Sequence, residues 1–212
     1  MSLTWLLFET IGTVAFAFSG AMTALSKKMD IFGVIVLAVM CGTGGGMLRD
    51  ILAGITPPLA LRTATAFTEC ITTAVIVSFA YQKWALSHHH QKWILILYLG
   101  SDACGLAAFT VTGTLTVLYT MPEYPYLLPI ILGLLTAVGG GILRDIMAQK
   151  VPVILKTDVY AIAAVLGGLI VCLIWHMGDR HLASWAGFYT VLILRALAIR
   201  FRWRLYRPHL HD

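Results

Sequence analysis

The chain has 212 residues, of which 59% are hydrophobic and only 12% charged, with a formal net charge of +5. A soluble domain carries roughly 45–50% apolar and about 25% charged residues, so this composition excludes one. Nucleic acid is not the partner that the basic excess implies, because the lysines and arginines cluster in short loops and at the C-terminus. That is how the cytoplasmic loops of membrane proteins look.

Apolar runs of about 20 residues each predict membrane-spanning helices. Seven can be read, at about residues 5–25, 32–52, 64–82, 93–118, 126–148, 158–177 and 183–201. No basic segment precedes the first run, which therefore reads as a transmembrane helix rather than a cleavable signal. The first loop is Lys27-Lys28-Met29-Asp30, and the second holds Pro57, Pro58 and Arg62. The third runs from Lys83 to Lys92 and includes His88, His89 and His90, which read as a polar loop rather than a metal site. Pro122-Glu123-Tyr124-Pro125, the segment Lys150 to Lys156, and Gly178-Asp179-Arg180 complete the series. None of these loops is long enough for a soluble domain, so residues 1–212 form a single membrane domain. The four cysteines, Cys41, Cys70, Cys104 and Cys172, all fall inside apolar runs with no CxxC spacing, and read as small core residues.

Alternate loops starting after the first span hold Lys27, Lys28, Lys83, Lys92, Lys150 and Lys156, and the tail adds Arg200, Arg202, Arg204 and Arg207. The opposite loops hold only Arg62 and Arg180. Ten basic residues against two predict an external N-terminus and a cytoplasmic C-terminus.

One stretch occurs twice. Gly44-Gly45-Gly46-Met47-Leu48-Arg49-Asp50-Ile51 is matched by Gly139-Gly140-Gly141-Ile142-Leu143-Arg144-Asp145-Ile146, 95 positions later. Pro57 matches Pro152 at the same offset. Upstream, Glu9, Gly12, Phe16 and Gly20 match Asp102, Gly105, Phe109 and Gly113 at an offset of 93. The fold class expected is therefore all-α and polytopic, with a repeat over about 3–82, a second over about 93–177, a seventh helix at about 183–201 and a basic cytoplasmic tail at 202–212. Three spans per unit is an odd number, so the two units would enter the membrane from opposite sides, as an inverted repeat.

Glycine costs a helix interior about 1 kcal/mol relative to alanine, so three in a row predict a break in the second and fifth spans. About 12 residues, or roughly 18 Å, separate Gly44 from the start of its span, which sets each break near the bilayer centre. Freed carbonyls at such a break can take over part of a cation's hydration shell, without a fixed metal. Close helix packing is the alternative use of such glycines. Matched depth makes Glu9–Arg49 and Asp102–Arg144 natural ion pairs. Asp50 and Asp145 point about 100° away from the arginines beside them, free to cap, to pair across the repeats or to line a vestibule. Thr10, Thr13, Ser19 and Thr23, with Thr110, Thr112, Thr114 and Thr116, make the first and fourth spans hydroxyl-rich. Glu69 in the third span has no counterpart. No nucleophile–base pair, phosphate loop or metal cluster is present, so no enzymatic activity and no cofactor are expected.

The doubled Gly-Gly-Gly-x-Leu-Arg-Asp-Ile, two inverted three-helix units and a seventh helix resemble the bacterial branch of the trimeric intracellular cation channels, a group also labelled glycine-transporter-like. The resemblance covers about residues 3–205. It implies a homotrimer in the bacterial inner membrane, with a pore for monovalent cations, chiefly potassium, in each subunit. It also implies that Gly44, Gly45, Gly46, Gly139, Gly140 and Gly141 bend the pore helices, with Arg49, Asp50, Arg144 and Asp145 beside them. The lysine motifs that the animal channels use for phosphoinositides have no equivalent in this chain. A secondary transporter of a small solute such as glycine fits inverted repeats and broken helices equally well.

Overall fold

The computed structural model describes residues 2–84, 91–156, 159–201 and 203. His88, His89 and His90, and Arg202, Arg204 and Arg207 of the tail, lie outside the described residues. The chain is all-helical. The helices are α1 (Leu3–Ser26), α2 (Ile31–Leu52), α3 (Leu59–Arg62), α4 (Thr65–Trp84), α5 (Gln91–Thr120), α6 (Leu127–Met147), α7 (Val153–Lys156), α8 (Val159–His176) and α9 (Arg180–Phe201). Six of them, α1, α2, α5, α6, α8 and α9, are long and apolar enough to cross a membrane. Helix α4 has the length, 20 residues, but carries Glu69, Lys83 and several threonines. The short helices α3 and α7 were not expected; each follows one of the matched prolines.

The helix ends follow from local chemistry. Ser2 Oγ accepts a hydrogen bond from the Trp5 amide, and Asp30 Oδ1 accepts one from the Gly33 amide at 2.7 Å, so α1 and α2 start on N-caps. The ends of α2 and α6 are built alike. Ile55 N donates to Asp50 O and Lys150 N donates to Asp145 O, both at 2.8 Å, each after a left-handed residue. That residue is Gly54 (φ 67°) in the first case and Gln149 (φ 53°) in the second. Gly54 has no Cβ to clash there, whereas Gln149 adopts the same turn against its steric preference.

Helices α1 and α5 are the inner pair. Thr110, Thr112, Thr114 and Thr116 of α5 are all fully buried, as are Phe8 and Phe16 of α1. The two helices interlock reciprocally: a Cβ on Gly12 would strike the Phe109 ring, and a Cβ on Gly105 would strike the Phe16 ring. The two rings pack 5.3 Å apart. Helix α9 closes the bundle through Trp185 and Phe188, which pack on Phe8 at 5.0 and 5.2 Å.

The glycine triplets do not break their helices. Helix α2 runs unbroken through Gly44–Gly46, and α6 through Gly139–Gly141. The expected coordination of a permeant cation, K+ by the family resemblance, by freed carbonyls therefore has no broken helix ends to act from. Close packing is the physical reason. A Cβ on Gly45 would collide with the carbonyl oxygen of Thr136, and a Cβ on Gly140 with the carbonyl oxygen of Cys41. The triplets let α2 and α6 cross backbone against backbone, which offsets their poor helix propensity.

Candidate functional site

Each glycine triplet is followed, one turn on, by a fully buried arginine. Arg49 donates from Nη1 and Nη2 to both oxygens of Glu9, at 2.8 and 3.1 Å. Its Nε donates to Asp50 Oδ1 at 2.9 Å. Its Nη1 also reaches Thr112 Oγ1 at 3.5 Å, and its guanidinium lies 5.2 Å from the centre of the Trp5 ring.

Arg144 repeats this pattern. Its Nη1 donates to Asp102 Oδ1 at 2.6 Å and to Ser19 Oγ at 2.5 Å, and its Nε donates to Asp145 Oδ1 at 2.8 Å. Its guanidinium lies 5.5 Å from the centre of the Tyr98 ring. The contacts correspond residue for residue. Trp5, Glu9 and Ser19 stand 93 positions before Tyr98, Asp102 and Thr112. Each arginine thus holds an acid from its own half of the chain and reaches a hydroxyl from the other half. A bidentate or charge-assisted fork of this kind is the geometry in which a buried guanidinium is tolerated.

Asp50 and Asp145 do not point away from their arginines. Each shares one oxygen with the arginine beside it and offers the other to a short helix. Asp50 Oδ2 accepts from the Leu59 amide at 2.7 Å, and Asp145 Oδ2 accepts from the Val153 amide at 2.8 Å. Leu59 and Val153 are the first residues of α3 and α7, so the aspartates act as caps supplied from another helix. Of the hydroxyls, Thr23, Thr110 and Thr116 bond back to their own helices, while Ser19 and Thr112 face the arginines.

The surroundings of the clusters differ. Beside Glu9 lies a cavity of about 220 Å³, lined in part by Trp5, Thr10, Thr13, Thr63 and Glu69. Thr10 Oγ1 donates to Glu69 Oε1 at 3.2 Å. The crevice beside Gly141, Arg144 and Tyr160 is too narrow for a water molecule. There a second arginine approaches. Arg195 of α9 is buried, its Nη2 is 4.0 Å from Asp102 Oδ2, and its guanidinium lies 4.5 Å from the centre of the Tyr160 ring. Among the described residues, Arg144 Nη2, Arg195 Nε, Arg195 Nη1 and the Tyr160 hydroxyl have no hydrogen-bond partner. Sequence reasoning passed over Arg195, although a lone arginine amid Leu194, Ala196 and Leu197 was a visible sign of an intramembrane charge.

Outside the spans, Lys150 follows the end of α6. Burial lowers its ammonium pKa below the usual lysine value, and the nearby charge of Lys27 lowers it further.

The model of the glycine transporter family matches this chain in two stretches, residues 6–82 and 99–176. The membrane protein YvgT of Bacillus subtilis (strain 168) is 36% identical over 204 residues, covering 96% of each chain. The inner membrane protein YadS of Escherichia coli (strain K12) is 33% identical over 210 residues, covering 98% of this chain and 96% of its own. Among solved structures, the trimeric intracellular cation channel orthologue from Rhodobacter sphaeroides superposes with a TM-score of 0.86 at 32% identity, over 95% of this chain and 100% of that one. A TRIC cation channel solved in a study of conductance gives a TM-score of 0.83 at 33% identity, over 97% and 98% of the two chains. The chain therefore belongs to the trimeric intracellular cation channel family, which the glycine transporter model also describes.

Proposed function

We propose that this protein is a potassium-permeable monovalent cation channel, a homotrimer in which each subunit carries its own route past the α2–α6 crossing. The observation that carries this reading is the pair of reciprocal arginine clusters. Two buried guanidiniums, each clamped between acids and a hydroxyl from the other half, mark a polar path through an otherwise apolar bundle. The likeness to proteins described as cation channels, at 32% and 33% identity over nearly the whole chain, supports the same class.

In this reading α4 is also a span, giving seven in all, and α1–α4 and α5–α8 are inverted copies related by a twofold axis in the membrane plane. The swapped contacts support it: Gly12 on Phe109 against Gly105 on Phe16, and Gly45 on Thr136 against Gly140 on Cys41. The double match of one family model points the same way. The charge bias of the loops supports an external N-terminus and a cytoplasmic C-terminus, so the Glu9 cluster would face outward and the Asp102 cluster inward. Gly44–Gly46 and Gly139–Gly141 form the constriction by close approach, and Arg49, Asp50, Arg144 and Asp145 form its polar walls. The carboxylates draw cations, and the arginines hold the carboxylates in place.

Purified protein in liposomes loaded with a potassium-sensitive dye tests this. Fast potassium flux that does not saturate at millimolar concentrations is expected. Saturable uptake of glycine with no potassium flux would establish the transporter reading instead.

A further inference from the structure

Among the described residues, every ionised side chain that is not exposed, two excepted, has a counterpart in the other half. Arg49 pairs with Arg144, Asp50 with Asp145, and Glu9 with Asp102. The exceptions are Glu69 and Arg195. At offsets of 93 to 95 from Glu69 stand Ile162, Ala163 and Ala164, none of them ionisable. Arg195 lies in α9, beyond the second matched stretch. The two are not at the same end. Glu69 shares the cavity with Glu9, whereas Arg195 sits against Asp102.

Their effect on charge is opposed. The Glu9 end holds one arginine against three carboxylates, Glu9, Asp50 and Glu69, a formal charge of −2. The Asp102 end holds two arginines against two carboxylates, a formal charge of zero. Arg195 is a weakly paired cation, 4.0 Å from Asp102 at one nitrogen and without a partner at the other two. In a low-dielectric interior such charges act over the whole width of a narrow route.

We propose that Glu69 and Arg195 polarise the route, so that cations pass from the Glu9 end to the Asp102 end more readily than in reverse. This rests on the cation-channel reading. A negative mouth raises the local cation concentration at one end, while a neutralised cluster at the other does not.

The test is the single-channel current–voltage relation in symmetric KCl. The parent should rectify roughly twofold or more, and more strongly as KCl is lowered and screening weakens. Arg195→Gln should bring the rectification ratio toward one, Glu69→Gln should do so independently, and the double variant should lie nearest to one. Arg195→Lys should keep the parent's ratio. A linear relation in the parent, or single variants that conduct with the parent's ratio at low KCl, overturns the proposal and leaves the channel reading intact. Should Arg195→Gln fail to fold, Glu69→Gln decides alone, and an unchanged ratio overturns the proposal. A parent that passes no cation overturns the channel reading itself.

Discussion

Arg49 and Arg144 share three features: an adjacent aspartate on Nε, an acid from their own half on Nη1, and an aromatic ring beneath the guanidinium. They part at Nη2. Arg49 gives it to the second oxygen of Glu9, and that side chain remains 20% exposed at the edge of a cavity. Arg144 Nη2 has no partner, because aspartate is one methylene shorter than glutamate and Asp102 turns its second oxygen toward Arg195. One cluster is complete and its acid is partly exposed; the other buries its acid, shares it between two arginines and leaves donors unfilled. Two copies of one motif thus differ in their pairing through a single methylene and one extra helix.

This difference predicts unequal responses to the same substitution. Arg144→Ala strands the buried Asp102 and Asp145 and should lose about 3–5 kcal/mol of stability, the usual loss when one partner of a buried pair is removed. Arg49→Ala leaves Glu9 partly exposed at the edge of a cavity and should lose roughly half as much. Thermal unfolding in one detergent measures both, and equal losses would break the comparison.

The helix crossing should respond symmetrically instead, because its contacts are reciprocal. Gly45→Leu and Gly140→Leu each force a side chain into a facing carbonyl, and each should cost about 1–3 kcal/mol by overpacking and abolish flux where the protein still folds. A variant that conducts like the parent would remove the crossing from the proposed route.

Smaller effects sharpen the contrast. Asp50→Asn and Asp145→Asn keep an acceptor for the Leu59 or Val153 amide but lose a charge-assisted bond, at about 1–2 kcal/mol. The loss should be greater for Asp145→Asn, which leaves two arginines facing only Asp102, than for Asp50→Asn, which leaves Arg49 matched by Glu9. Unfolding in detergent again ranks them. Gly100→Ala, at a helical glycine with open space around it, should be neutral or stabilising by up to about 1 kcal/mol and leave flux unchanged.

Much of this architecture was legible in the sequence because it is written twice. The positions of six apolar helices followed from run length, and the Glu9–Arg49 and Asp102–Arg144 pairings followed from matched depth along helices of known rise. The glycines misled, since propensity alone favours a break at Gly44–Gly46. Only the facing Thr136 and Cys41 carbonyls reveal that a second helix fills the space a side chain would have taken. Capping was one of the uses open to Asp50 and Asp145, but their partners were hidden, because these are amides of short helices that sequence periodicity does not mark. Arg195 lies outside the repeat, so no matching residue in the other half marks it.

The central claim is that cations cross this protein along the route these clusters flank. Purified protein in a planar bilayer under a KCl gradient tests it most directly. Discrete unitary currents that reverse near the potassium equilibrium potential, and that change in amplitude or gating in Arg49→Ala or Arg144→Ala protein that still folds, are the predicted result. A silent bilayer from protein shown to be folded and reconstituted, or currents indifferent to both substitutions, would contradict it.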